Sequence, residues 1–234
     1  MDASLRERAG AVRAQLSTGQ AVALREALAA ISPVERDAWI DLVLGLGELP
    51  ADDRASLPRG CVPYLPAPVD ALLAIAEHAD VRPGDVFVDV GSGIGRAAVL
   101  MHLLTGAAAI GLEIQPELAR ASRDLAARLG GGRVAIVEGD AARTVAELSS
   151  GSVFFLYCPF SGDRLRTVLA GLEAIARARP IRVCCLDLPL PACAWLGLSA
   201  QPSPGLDLYR SDRSDEPIDA AAAPPACLSP ALAP

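Results

Sequence analysis

A glycine-rich turn stands where a buried strand gives way to a helix. The segment 86–90 is apolar except for Asp89, and Gly91-Ser92-Gly93-Ile94-Gly95 follows it directly. Glycine is needed where the backbone takes a positive φ or approaches a ligand closely. A turn after the first strand of an α/β sheet also lies at the edge where such sheets bind ligands. The sequence therefore predicts a ligand-binding loop at residues 91–95.

Two acidic residues follow the next two predicted strands. Glu113 ends Ile110-Gly111-Leu112-Glu113, and Asp140 comes after the strand at 133–138. A carboxylate at the first position can accept hydrogen bonds from both hydroxyls of a ribose. One at the second position can accept a hydrogen bond from the exocyclic amine of adenine, and it can also cap the helix that begins at Ala141. Together with the glycine turn, these acids predict a site for an adenosyl group.

Arg96 distinguishes this turn from the dinucleotide-binding fingerprint. The fingerprint is G-x-G-x-x-G, and its third glycine corresponds to Arg96. The guanidinium could pair with a carboxylate of the cofactor or with an acid of the N-terminal helices, and the sequence leaves both open. A nicotinamide-dependent oxidoreductase is thus an alternative that Arg96 counts against.

Aromatic residues and a cysteine end the fourth predicted strand. Phe154-Phe155-Leu156 leads into Tyr157-Cys158-Pro159-Phe160 at the same edge of the sheet. The Tyr157 hydroxyl could act as an acid or base, or its ring could form an aromatic wall. Tyr157 is accordingly the candidate catalytic residue, with the wall as the other interpretation.

In this order, the glycine turn, the two acids and the end of the fourth strand resemble the class I S-adenosylmethionine-dependent methyltransferase superfamily over residues 62–210. The resemblance implies S-adenosyl-L-methionine as cofactor and S-adenosyl-L-homocysteine as product. It implies that Asp89 closes the first strand next to the turn and that Gly91, Gly93 and Gly95 contact the methionine part of the cofactor. It also implies that Glu113 binds the ribose and that Asp140 binds the adenine. The implied cofactor-binding residues are Tyr64, Asp89, Gly91, Ser92, Gly93, Gly95, Arg96, Glu113, Ile114, Asp140, Ala141, Tyr157 and Pro159.

A bacterial subgroup of this superfamily is also similar in Tyr64-Leu65-Pro66-Ala67-Pro68 and in the segment 157–160. It is distantly similar to the non-SET histone-lysine methyltransferases, and the resemblance implies that Tyr64 helps to cover the cofactor. Many amino-directed members have Asn or Asp before the proline that ends the fourth strand, where it holds the nucleophilic nitrogen. This chain has Cys158 there, so that mechanism does not transfer directly.

Helical and strand patterns position these residues. Apolar periodicity predicts helices at 3–16, at 19–31 and from Ser32-Pro33 onward, which form an N-terminal helical cap at residues 1–50. A Pro-rich linker at 51–67 precedes a Rossmann-like domain at 68–211, and residues 212–234 are predicted to be a disordered tail. The cap and linker are expected to fold over the carboxyl ends of the strands and to shape the acceptor pocket.

Strands and helices alternate within the domain, which predicts an α/β fold with a doubly wound, mostly parallel sheet. Leu206–Tyr209 is expected to close that sheet. The predicted helices are 69–79, about 95–105, 116–129, 141–149 and 162–178, and the predicted strands are 86–90, 108–113, 133–138, 152–157 and 181–187.

Composition narrows the function classes. A net charge of −7 argues against a broad phosphate-binding surface, so no nucleic-acid partner is expected. The six cysteines show no CxxC spacing, which predicts reduced thiols and no metal site. The start of the chain lacks a signal-peptide pattern and no long apolar run follows, so a cytoplasmic protein without a membrane segment is expected.

The sequence thus predicts an S-adenosylmethionine-dependent methyltransferase that moves a methyl group to a small-molecule N or O acceptor by in-line displacement. Apolar residues near the site favour a small acceptor over a protein: Phe154, Phe155, Phe160 and Trp195. A lysine-type protein methyltransferase and a non-catalytic adenosyl-binding module are the further alternatives. The acceptor's identity and the oligomeric state are left open.

Overall fold

A seven-stranded sheet forms the centre of the molecule. The computed structural model describes residues 3–18, 24–48, 50 and 57–212. The strands lie in the order β3-β2-β1-β4-β5-β7-β6; β1 to β5 are parallel, and β7 runs antiparallel to both β5 and β6. They are β1 (Val86–Val90), β2 (Ala108–Glu113), β3 (Val134–Glu138), β4 (Val153–Tyr157), β5 (Arg182–Leu186), β6 (Gly197–Ser203) and β7 (Leu206–Arg210). The predicted doubly wound, mostly parallel α/β sheet is confirmed.

Helices cover both faces of the sheet. They are α1 (Ala3–Ser17), α2 (Leu24–Ala29), α3 (Pro33–Leu44), α4 (Val69–His78), α5 (Arg96–Thr105), α6 (Pro116–Leu129), α7 (Ala141–Thr144), which continues as a 3-10 turn at Val145–Glu147, and α8 (Gly162–Ala176). Successive strand residues point to opposite faces. Phe155 accordingly packs in the cluster with α4, α5 and α6, whereas Phe154 and Leu156 pack in the cluster with α8.

The edge of the sheet differs from the prediction. Leu206–Arg210 does join the sheet as β7, but it is not the last strand. β6 pairs with the other side of β7 and forms this edge of the sheet. The sequence of β6 contains Gly197, Gln201 and Pro202, which are weak strand formers. An edge strand tolerates proline and irregular pairing, and the β6–β7 register shifts twice. Residues 197–203 therefore form a strand because they pair with β7, and hydrophobic periodicity in the sequence does not reveal such pairing.

The N-terminal helices pack against the layer of helices over one face of the sheet. α1 contacts α3 and α6, α2 contacts α5, and α3 contacts α4. Helix α5 is buried on nearly every side, so it needs a partner on its outer surface. The described part of the predicted 19–31 helix is α2, residues 19–23 and 51–56 lie outside the described residues, and so does the predicted tail except residue 212.

Arg96 ties α3 to the start of α5. Its side chain is 2% exposed; Nε donates to Asp41 Oδ1 at 2.7 Å, and Nη2 donates to Asp37 Oδ1 at 2.9 Å. Nη1 donates to the carbonyl of Ala67, at the end of the linker. One guanidinium thus joins α3, the linker and α5, which is the second of the two roles that the sequence allows for Arg96.

Replacing Arg96 with alanine is expected to lower the free energy of unfolding by roughly 2–3 kcal/mol, because a buried charge network loses its centre while its acids stay partly hydrated. Urea unfolding followed by circular dichroism measures the change. Arg120→Ala is the matched control, because Arg120 forms an exposed pair with Glu117 and should leave the midpoint almost unchanged. Equal midpoints for the Arg96 variant and the wild type would contradict the anchoring role.

Candidate active site

The glycine turn folds as a loop that a side chain would obstruct. Gly91, Gly93 and Gly95 have φ values of 86°, 54° and 78°, in the left-handed region that favours glycine. A Cβ built on Gly93 would lie 2.0 Å from Cδ2 of the Tyr64 ring. The ring of Tyr64 therefore lies directly on the loop, in a position that only glycine at residue 93 permits.

Glu113 fixes the other side of this loop. Its side chain is buried, Oε2 accepts a hydrogen bond from the Gly93 amide at 2.7 Å, and Oε1 accepts one from the Gln115 amide at 2.8 Å. A carboxylate offers about four lone-pair sites. The two backbone bonds therefore orient Glu113 and are compatible with its accepting ribose hydroxyls.

Asp89 is a buried acid beneath the loop. Its pKa is raised from 3.8 to about 7, chiefly by burial and then by the nearby charge of Glu113, while a hydrogen bond from the Ala98 amide opposes the rise. Near neutral pH this carboxyl is therefore poised between its neutral and ionised forms, and a cation bound nearby would favour ionisation.

Asp89 should make stability depend on pH. Between pH 3.8 and about 7 the folded state holds a proton that the unfolded state has released, so this group's contribution to stability falls as pH rises. Asp89→Asn keeps an acceptor for Ala98 but has no proton to lose. Its free energy of unfolding relative to wild type is expected to rise by roughly 2 kcal/mol between about pH 5.5 and pH 7 and then to level off. Urea unfolding across this range measures the difference, and a flat profile would contradict the raised pKa.

Asp140 caps α7 and forms an ion pair. Its Oδ1 accepts a hydrogen bond from the Ala142 amide at 3.0 Å and contacts Nη1 of Arg164. The N-cap role considered from the sequence is therefore present. Asp140 also lines the same cleft as Glu113, so the N-cap hydrogen bond from Ala142 holds the Asp140 carboxylate at the carboxyl end of β3.

Part of the linker crosses this cleft as a strap, defined here as residues 57–65. The Val62 amide donates to Pro159 O at 3.0 Å, and the Ser161 amide donates to Gly60 O at 3.1 Å. Cys61 and Phe160 form the antiparallel bridge between these bonds. The strap thus pairs with the loop after β4 and places Tyr64 over the glycine turn.

The cap helices do not form the pocket as expected. The strap lines the cleft, and no described residue of α1, α2 or α3 does so. The apolar side chains Trp39, Ile40 and Val43 of α3 are buried in the core cluster that contains α4 and α5, and its acids hold Arg96. Burial of that apolar surface therefore places α3 against the helices over one face of the sheet, away from the carboxyl ends of the strands.

Two residues with unusual backbone lie at the ends of β4 and β5. Cys158 and Asp187 have φ values of 31° and 49°, which are uncommon outside glycine and concentrate at functional sites. The Cys158 amide donates to Leu186 O at 3.2 Å. Burial, then the charge of Asp187, raises the pKa of the Cys158 thiol. The ends of β4 and β5, called the corner below, therefore place the neutral thiol of Cys158 near the exposed carboxylate of Asp187.

Tyr157 stands at the same corner. Burial is the main cause that raises the pKa of its hydroxyl, and the neighbouring Cys158 and Asp187 side chains raise it further. A phenol with a raised pKa stays protonated at neutral pH. This favours the aromatic wall, or a hydrogen-bond donor, over a general base.

One cleft brings together most of the predicted residues. It has a volume of about 820 Å³, counting the part open to solvent, and Tyr64, Asp89, Gly91, Ser92, Arg96, Glu113, Ile114, Asp140, Ala141, Tyr157 and Pro159 line it. Gly93 lies under Tyr64, and Gly95 packs against Ser122. Although Arg96 borders the cleft, its guanidinium serves the α3 network.

Several lining residues were missed from the sequence. They include Cys61, Gln115 and Arg164, whereas Phe155 and Phe160, which were expected near the site, do line the cleft. Gln115 lies two residues after Glu113, and that proximity was an available signal. Cys61 and Arg164 reach the cleft only because the strap and α8 fold onto it, and no local pattern marks them.

Similarity to known proteins agrees with this arrangement. The family described as Histone methylation protein DOT1 matches residues 67–130, the part of the chain from the end of the linker to the end of α6. No curated protein matches this chain.

In the part of the chain that the structure describes, no helix is long and apolar enough to cross a membrane.

Two solved structures are similar over most of their own length. An RNA methyltransferase from Salinibacter ruber, in complex with S-adenosyl-L-homocysteine, is 26% identical with a TM-score of 0.51, covering 62% of this chain and 92% of that one. A protein from Escherichia coli, yhhF, assigned as a methyltransferase, is 20% identical with a TM-score of 0.50, covering 70% of this chain and 91% of that one. The second supports the fold alone.

Proposed function

We propose that this chain, a member of the class I S-adenosylmethionine-dependent methyltransferase superfamily, transfers the methyl group of that cofactor to a nitrogen or oxygen of a small organic acceptor. The observation that carries the proposal is the 2.7 Å bond between the Gly93 amide and Glu113, in a cleft that Asp140 also lines. The glycine turn and both strand-end acids thus meet at one place.

The residues of the cleft fit an adenosyl cofactor. Glu113 would accept the ribose hydroxyls, Asp140 would bind the adenine amine, and Asp89 with the glycine turn would hold the methionine part. Ser92 supports the fit, because its buried hydroxyl oxygen has no hydrogen-bond partner among the described residues. Bound there, the cofactor supplies an electrophilic methyl group on a positively charged sulfur.

The residues of the chain then have to position the acceptor and keep water out. In-line displacement needs the nucleophile aligned opposite the leaving sulfur at near-attack distance. Phe160 is 4% exposed and pairs through its backbone with the strap, so it narrows the cleft beside Tyr157. A neutral amine needs no base before it attacks. Because Tyr157 and Cys158 both stay protonated, the corner is better suited to an amine acceptor than to one that must first lose a proton.

The walls favour a small organic acceptor. Val62 and Leu65 of the strap are 40% and 51% exposed, while Phe155 and Phe160 are buried in the lining. Apolar clefts with a few polar groups are typical of small-molecule sites. A protein side chain is the second candidate acceptor, and the match to the family described as Histone methylation protein DOT1 favours it.

Transfer from methyl-labelled S-adenosyl-L-methionine tests the acceptor class. The wild type is expected to label small amines or phenols and to leave lysine peptides and RNA unlabelled. Label found only in peptide or in RNA would contradict the small acceptor while retaining the methyltransferase. Binding of the cofactor without turnover on any acceptor would favour the adenosyl-binding module.

The oxidoreductase alternative has a separate test. The position of the third fingerprint glycine is filled by Arg96, whose guanidinium binds Asp37 and Asp41. We therefore expect no binding of reduced nicotinamide dinucleotides, measured by their fluorescence on titration with the protein. Saturable binding would contradict the proposed cofactor.

A further inference from the structure

The ends of β4 and β5 lie on the far side of the glycine turn from the two acids of the cleft. Glu113 and Asp140 stand at the ends of β2 and β3, and in the sheet β1 separates these strands from β4 and β5. Tyr157 ends β4 and lines the cleft, and Asp187 comes directly after β5. Because the proposed cofactor site takes up the ends of β1 to β3, a methyl acceptor has to lie at the corner formed by β4 and β5.

The backbone fixes Asp187 at this corner. Tyr157 pairs with Leu186 in the parallel ladder, and the Cys158 amide extends the pairing by donating to Leu186 O at 3.2 Å. Neighbouring strands are about 4.8 Å apart, so Cys158 and Asp187 stand side by side. The Asp187 amide donates to Gly205 O at 2.8 Å, and a side chain at Gly205 would collide with Asp187 Oδ1. The turn between β6 and β7 therefore supports the carboxylate from its other side.

Asp187 gives the corner a negative charge. Burial raises the pKa of the Cys158 thiol, and the charge of Asp187 raises it further. The Asp187 side chain is exposed and forms no ion pair with another described residue. Because Tyr157 and Cys158 stay neutral, they do not compensate this charge. A cation that enters the corner would therefore find a carboxylate that no described side chain neutralises.

We propose that Asp187 is a specificity-determining residue that binds a positive charge on the methyl acceptor, so that the acceptor carries an ammonium group in addition to the atom that is methylated. This inference rests on the proposed function. The two groups are separate, because the attacking atom needs a free lone pair, whereas an ammonium nitrogen has none. A carboxylate accepts charge-assisted hydrogen bonds from an ammonium group and repels an anionic acceptor. Asp187 therefore adds a selection by charge that the apolar walls of the cleft do not provide.

Two cofactor analogues with arms of equal length test this selection without knowledge of the acceptor. In both, a nitrogen replaces the sulfur of S-adenosyl-L-homocysteine and carries an arm in place of the transferred methyl group. One arm is aminopropyl and ends in an ammonium group, and the other is butyl and ends in a methyl group. Calorimetry measures both affinities. We expect the wild type to bind the aminopropyl analogue roughly 5-fold or more tightly, the upper range for an exposed ion pair.

Asp187→Asn is expected to abolish this preference and to leave the affinity for S-adenosyl-L-homocysteine within a factor of about two. Asparagine has the size of aspartate without its charge, and it tolerates the positive φ of 49° at this position. The matched control is Asp163→Asn, because Asp163 is 94% exposed, pairs with Arg166 at the start of α8 and should leave the preference unchanged. If Asp187→Asn does not fold, Asp187→Gly replaces it, since glycine adopts a positive φ without strain.

The outcomes separate this inference from the proposed function. A wild type that binds S-adenosyl-L-homocysteine but binds the two arms equally, prefers the butyl arm or admits neither would overturn the role of Asp187 and leave the methyltransferase intact. Retention of the full preference in the Asp187 variant would also overturn it. If the wild type does not bind S-adenosyl-L-homocysteine at all, the proposed function fails together with the inference.

Discussion

Replacing Glu113 with alanine is expected to weaken binding of S-adenosyl-L-homocysteine by at least roughly 100-fold, because two charge-assisted hydrogen bonds to the ribose are lost and each contributes about 1.5–3 kcal/mol. The same change releases the Gly93 and Gln115 amides, which the carboxylate now holds at 2.7 and 2.8 Å. Isothermal titration calorimetry measures the affinity.

The chain offers a matched control for this experiment. Glu138 ends β3 in direct register with Glu113 at the end of β2, but its side chain is 40% exposed and pairs with Arg123. Glu138→Ala should therefore bind with an affinity within a factor of about two of wild type, since an exposed pair contributes little. Similar losses for both variants, or none for Glu113→Ala, would contradict the ribose assignment.

Replacing Gly93 with alanine is expected to abolish measurable cofactor binding and to destabilise the fold by more than about 1–2 kcal/mol, the usual cost of a left-handed backbone at a non-glycine residue. The excess arises because the new Cβ would lie 2.0 Å from the Tyr64 ring. Either the ring or the loop has to move, and movement of the loop breaks the bond to Glu113. Calorimetry and urea unfolding measure the two effects.

Gly131 separates strain from collision. Its φ of 53° is nearly that of Gly93, yet a Cβ there would meet no atom within 4 Å. Gly131→Ala is expected to show the backbone cost alone and normal cofactor affinity. In the Gly93→Ala background, Tyr64→Ala should restore part of the lost stability. Equal stability losses in the two glycine variants, with no recovery in the double variant, would exclude steric collision as the cause.

Much of the candidate site follows from sequence because its parts are local. The glycine turn, Glu113 and Asp140 each end a strand whose apolar run is visible, and parallel strands bring their carboxyl ends to one edge. A glycine at position 93 indicates a backbone with positive φ, because glycine adopts that conformation without the steric cost that other residues have. These features converge because β3, β2, β1 and β4 are neighbours in the sheet, an order that the alternation of strands and helices allows but does not fix.

The sequence by itself determined the α/β alternation, the loop after β1 and the acids that end β2 and follow β3, because each depends on a short run of residues. Tertiary structure alone decided the edge strand β6, the use of Arg96 to anchor α3 rather than to bind a ligand, and the passage of the strap over the cleft. It alone brought Arg164 to Asp140, 24 residues away in the chain. Such contacts form between elements that are distant in sequence, where burial and charge pairing select among partners that local patterns leave equivalent.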